Sequence, residues 1–212
     1  MTPLLNIHCH PQKEQNFRND TIYSYIYPNL PGLGPKHCSS GIHPWYIPAK
    51  KDLDWDLFLS IAKQPQVKLI GECGLDTFSK IDLDTQIKVF RKQIEIAELV
   101  QKPLLIHMVR TTTEIMALKQ EYQPKQTWII HGFRGKPELA QQYYEHGILL
   151  STGPQFNPQT IQTIPLEKLL VETSDTGLPI DDVLKKIALI KNTTIQALKK
   201  QIYTNTASLF FG

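Results

Sequence analysis

The stretch "PLLIHMVRTTTEIMALKQEYQPKQTWIIHG", residues 103–132, decides the fold. A short apolar run ends in His107, a helical pattern fills 112–122, and a second apolar run ends in His131. Strand, helix, strand is the order of a parallel α/β unit. The two histidines matter as much as the order, because both stand where an apolar run stops.

The same rhythm runs outward in both directions. Apolar runs stand at 4–9, 21–27, 37–43, 67–72, 103–108, 127–132, 147–152 and 168–173. Helical patterns lie at 53–63, 83–101, 112–122 and 136–147, and two more fill the C-terminal stretch from Asp181 onward. Within 83–101, Ile87, Phe90, Ile94, Ala97 and Val100 recur at helical spacing. "GKPELAQQYYEHG" (135–147) places Pro in the first turn and Gly just past the end, the usual start and stop signals.

Eight strand candidates alternating with helices predict a compact TIM-like (β/α)8 barrel, near the lower length limit for that fold. Between His10 and His43 the second βα unit is reduced to a short strand and a proline-rich loop. An open doubly wound sheet needs fewer strands, and the glycine-rich first turn of a dinucleotide site is missing. The 212 residues show no linker and read as a single domain over 1–212.

A net charge of +3 permits a polyanionic ligand without demanding one. Cys9, Cys38 and Cys73 are odd in number and lack CxxC spacing, which disfavours a disulfide framework and favours a reducing, cytoplasmic setting. No leader pattern opens the chain, and no apolar run approaches the roughly 20 residues that span a bilayer.

Polar residues collect at the ends of the strand candidates. In "NIHCH" (6–10), alternation sets Asn6, His8 and His10 on one face and Ile7 and Cys9 on the other. His43, Glu72, His107, His131, Glu172 and Asp175 follow at the ends of later runs. In a barrel these ends converge on one mouth, where active sites lie. Singly, His107 and His131 also read as satisfied core histidines and Glu72 as a loop-holding carboxylate. Together they need a partner, because ionisable groups sharing a cavity repel one another or suffer desolvation. A divalent cation supplies it, and a His and carboxylate donor set suits zinc, manganese or magnesium.

From "NIHCH" through "GIHPW", "LIGECGLD", "LLIHMVR" and "IIHGFRGKPELAQQYYEHG" to "KLLVETSD", the order of motifs resembles the TatD-like family of metal-dependent hydrolases. That resemblance implies a TIM-like barrel, two divalent ions (Mg, Mn or Zn), and hydrolysis of DNA or other nucleic acid, single-strand exonuclease action included. It assigns His8 and His10 to the first ion, Glu72 to a bridge, and His107 and His131 to the second ion. His43 would approach the substrate or its phosphate, or else fix its loop, and Arg110 and Arg134 read equally as phosphate contacts and as rim salt-bridge partners. Trp45 and Tyr46 are candidates for stacking on an unpaired base, or for packing a loop on the rim. The family's last strand usually ends in "ETD", whose aspartate is a ligand and base. Here Ser174 stands in that place, and Asp175 one position later can serve only if the strand end carries an extra residue. With Asp175 in place, Asp175 and Glu72 would be the catalytic carboxylates.

Two other readings stay open. The same histidine-rich mouth suits a hydrolase of a small amide, lactone or aminoacyl ester. Ser174 also suits a member that binds metal and nucleic acid without turnover.

Overall fold

The computed structural model describes residues 4–11, 16–29, 35–48 and 52–211. All eight strand candidates are present: β1 (Asn6–Cys9), β2 (Thr21–Ile26), β3 (Cys38–Gly41), β4 (Val67–Asp76), β5 (Leu104–Val109), β6 (Trp128–Ile130), β7 (Ile148–Thr152) and β8 (Leu169–Val171). They follow one another in the sheet in chain order, β1 to β8, which is the strand order of the (β/α)8 class. Where their register is recorded, β1 with β2, β3 with β4, β4 with β5 and β7 with β8, the pairing is parallel.

The helices are α1 (Trp55–Ala62), α2 (Leu83–Val100), α3 (Thr112–Tyr122), α4 (Pro137–Glu145), α5 (Pro158–Thr163), α6 (Ile180–Ile190) and α7 (Ile195–Phe211). Among the described residues no helix separates β1 from β2 or β2 from β3, as the reduced second unit requires. Helix α5 and the short 3-10 turn Leu166–Lys168 are additions to the sequence reading. Their segment is short, polar and proline-flanked, so it carries no helical apolar stripe.

By contact density the chain forms two compact units, one of residues 1–23 and 129–212, the other of residues 24–128. In the first, Leu4, Leu5, Ile7, Leu150, Leu169, Val171, Leu184, Ile187, Leu198 and Ile202 are buried. Helix α7 is pinned to the N-terminal segment by Thr206 Oγ1–H donating to the Leu4 carbonyl at 2.6 Å.

In the second unit the core gathers Phe58, Leu69, Ile70, Phe90, Ile94 and Trp128. Asp54 and Asp82 cap α1 and α2 by accepting from the N–H of Leu57 and Thr85, which satisfies a backbone donor left over in each first turn. Helix α2 turns Gln86, Val89, Phe90, Gln93, Ile94, Ile96 and Ala97 inward. Of the predicted stripe, Phe90, Ile94 and Ala97 are buried, while Ile87 and Val100 are half-buried. The two buried glutamines bond loop backbone: Gln93 takes the Ile42 N–H at 2.7 Å and donates to its carbonyl at 3.1 Å. Gln86 does the same for Asp76, at 2.8 and 3.1 Å. One helix face thus fixes both backbone segments that lead into the polar cluster described next.

Candidate metal and hydrolase site

In the unit of residues 1–23 and 129–212, His8 stands on β1, His131 just beyond β6 and Glu172 just beyond β8. Their donor atoms all lie within 4.8 Å of one another. The His8 ring is 4.8 Å from that of His131 and 5.0 Å from that of His10. Glu172 is fully buried, with Oε1 3.4 Å from His131 Nδ1. Burial pushes its carboxyl up, but His131 beside it and the charge of His8 outweigh that and hold it below the ordinary glutamate value.

Local pairing explains the arrangement. Asn6 on β1 donates to Thr173 Oγ1 at 2.8 Å and accepts the Thr173 N–H at 3.2 Å, so the start of β1 is tied to the end of β8. Ser174 pairs with Cys9: its N–H reaches the His8 carbonyl at 3.0 Å, and its carbonyl takes the His10 N–H at 2.9 Å. Ser174 has φ of +54°, a left-handed turn that carries Asp175 out into solvent. Asp175 therefore stands outside the group, and the carboxylate that joins His8 and His131 is Glu172. Arg134 is exposed in the loop after β6.

In the unit of residues 24–128, His43, Glu72 and His107 form a second such group. Glu72 is aimed by a bulge. Between Ile70 and Cys73, β4 has one more residue than β5 has between Leu104 and Ile106. Gly71, at φ +149°, makes this possible, because a Cβ there would lie 2.4 Å from the Leu105 carbonyl oxygen. Glu72 Oε2 then lies 3.8 Å from His107 Nδ1 and 4.0 Å from His43 Nε2.

Asp76, on the same strand, is a residue the sequence reading missed. Its Oδ2 lies 2.8 Å from His107 Nε2 and takes the Trp45 indole N–H at 2.7 Å, and its Oδ1 takes the Phe78 N–H at 2.8 Å. Burial would raise this carboxyl, yet the bonds from His107, Phe78 and Trp45 together hold it below the ordinary aspartate value. An ionised Asp76 only accepts, so His107 carries a proton on Nε2 and Nδ1 is the atom that faces Glu72. His43 has the opposite tautomer. Its Nδ1 accepts the Trp45 backbone N–H at 3.1 Å, so Nε2 carries the proton and faces Glu72 as a donor.

The donor chemistry fits a divalent cation. Glu172 Oε2 is buried and makes no direct hydrogen bond among the described residues, although the Ser151 hydroxyl stands near the carboxylate, a costly state unless a cation satisfies it. Imidazole and carboxylate donors without thiolate suit zinc, manganese or magnesium. The cysteines take no part: burial raises the Cys9, Cys38 and Cys73 thiols, and none joins these groups. His37 and His146 also stand apart, the first buried beside Lys68 with its pKa lowered to about 4, the second exposed at the end of α4.

The sequence model of the family described as "TatD related DNase" matches residues 34–211. The "3'-5' ssDNA/RNA exonuclease TatD" of Citrobacter koseri is 29% identical over 164 residues, 73% of this chain and 63% of that protein. The "Deoxyribonuclease Tat-D" of Schizosaccharomyces pombe is 24% identical over 192 residues, 68% of this chain and 62% of that protein. The chain thus spans less than two thirds of the length of either relative. Among solved structures, the TatD homologue YjjV of Escherichia coli superposes with a TM-score of 0.75 at 20% identity, over 91% of this chain and 86% of that one. The likeness in structure establishes the fold, and the family match over most of the chain establishes descent: the chain belongs to the TatD related DNase family.

Proposed function

We propose that the protein is a metal-dependent hydrolase that cleaves phosphodiester bonds in single-stranded DNA or other nucleic acid, the whole chain acting as one hydrolase domain. The observation that carries this reading is the pair of His and carboxylate groups at strand ends, one built on Glu172 and one on Glu72. The activity named for the two relatives supports the substrate class.

Two divalent ions (Mg, Mn or Zn) would be held by these groups, with His8, His10, His131 and Glu172 in one unit and His107 and Glu72 in the other. When bound, such ions polarise a phosphoryl oxygen and lower the pKa of water from 15.7 toward about 7. Glu172 and Glu72 supply the negative charge that retains the cations. His107, fixed by Asp76, offers Nδ1 in one orientation. His43 offers an Nε2–H donor, which suits a phosphate oxygen of the substrate better than it suits a cation. Arg110 and Arg134, both exposed, would supply phosphate contacts that hold the strand without reading its sequence. Asp175, exposed in its turn, is left outside ion binding.

No helix among the described residues is long and apolar enough to cross a membrane, and the three cysteines are free. We place the protein in the cytoplasm, a setting that keeps such thiols reduced.

The test is degradation of end-labelled single-stranded DNA by metal-stripped protein resupplied with magnesium, manganese or zinc. Cleavage should require the ion, drop at least a hundredfold in Glu72→Gln and Glu172→Gln, and persist in Asp175→Ala. Absence of cleavage with every ion would sink the nuclease reading. Loss in Asp175→Ala alone would return the base to Asp175.

A further inference from the structure

The geometry points to a stacking platform for an unpaired nucleobase, formed by Trp45 and Phe78 with Arg110, and fixed beside the His43–Glu72–His107 group. It rests on the nuclease reading above and deepens it, by naming what part of the substrate is gripped and by which side chains.

Three large aromatic side chains of one unit are exposed to solvent: Trp45 at 54%, Tyr46 at 58% and Phe78 at 61%. Exposed aromatics on a slack loop would mean little. These loops are held firmly, and by the residues of the site itself. Asp76 takes the indole N–H of Trp45 and the backbone N–H of Phe78 with the same carboxylate that orients His107. Ser79 Oγ–H donates to the Pro44 carbonyl at 2.9 Å, joining the Phe78 loop to the Trp45 loop a second time. His43, one turn before, packs its ring 5.5 Å from Tyr46 and 4.3 Å from His107.

Over Phe78 lies the Arg110 guanidinium, 4.7 Å from the ring centroid. Arg110 is itself exposed and sits at φ +56° directly after β5. The arrangement sets a ring, an indole and a planar cation beside the polar group, with much of their surface still open. An aliphatic ligand would gain little from a guanidinium. A nucleotide gains from each part, because its base stacks on a ring or on a planar cation and its phosphate is attracted by the charge. Only an unpaired base exposes the face that stacking needs, so the platform selects single strands over duplex.

The experiment compares binding of two fluorescent phosphorothioate strands of equal length, one oligothymidylate and one abasic, to the full chain as purified. The thioate linkages slow cleavage during the titration. Wild type should bind the thymidylate about tenfold more tightly than the abasic strand, the scale of one stacked base. Phe78→Ala and Trp45→Ala should each reduce that ratio, whereas Trp45→Phe, which keeps a ring, should retain part of it. Equal affinity for the two strands would overturn the proposal, as would a ratio unmoved in both alanine variants. If the chain cleaves ordinary single-stranded DNA and yet shows no base preference, the platform alone fails. If it neither binds nor cleaves any strand, the nuclease reading fails with it. Self-association that Phe78→Ala abolishes, without base preference, would assign the surface to a second copy of the chain and overturn the proposal equally.

Discussion

Asp76 receives three hydrogen bonds on one carboxylate, from His107, Trp45 and the Phe78 backbone. Replacing it by Asn keeps the shape and removes the charge. The His107 tautomer is then no longer enforced, and partners of this kind contribute about 10- to 100-fold in metal affinity. Asp76→Asn should therefore weaken zinc retention by that factor in competition with a chelator, with an unaltered circular dichroism spectrum. Unchanged affinity would mean that His107 needs no such support. The histidines and Glu72 were legible in the sequence because each ends an apolar run. Asp76 left a signal too, since it lies two strand repeats beyond Glu72, but a single aspartate after "GL" resembles an ordinary loop-starting residue. The displacement at Ser174 and Asp175 was legible as a question. Its outcome depends on the sign of φ at Ser174, which a non-glycine residue does not announce.

At the scale of elements, α2 shows how a helix positions a site it does not enter. Its apolar spacing was readable, whereas the roles of Gln86 and Gln93 were not, because periodicity counts them as polar. They stand seven residues apart on the buried face, and each satisfies both backbone groups of a strand-end residue. Removing one leaves a buried N–H and C=O unpaired, at about 1–3 kcal/mol for each group. Gln93→Leu should lower the unfolding free energy by roughly 2–6 kcal/mol for the two groups together, seen as an earlier midpoint in urea. A midpoint equal to that of wild type would show that the Ile42 backbone finds other partners. The bulge in β4 was equally hidden: the apolar run stops at Glu72, whereas the strand runs on to Asp76, and only the Gly71 contact with Leu105 explains why an extra residue fits there.

At the scale of the whole molecule, the fold class followed from the count and order of the apolar runs, which survive compression of the loops between them. Strand limits differed by a residue or more at most ends, since the sequence shows where apolar character stops, not where pairing does. The reading of two ions, one retained through the buried Glu172 and one through Glu72, is the central claim, and metal counting tests it most directly. Elemental analysis of the 212-residue chain, purified without chelator and dialysed against the ion that supports cleavage, should give two ions per chain. Glu172→Gln should lose one of them, and Asp175→Asn should keep both. A wild type that holds no ion, or an Asp175→Asn variant that loses one while Glu172→Gln retains two, would contradict the account.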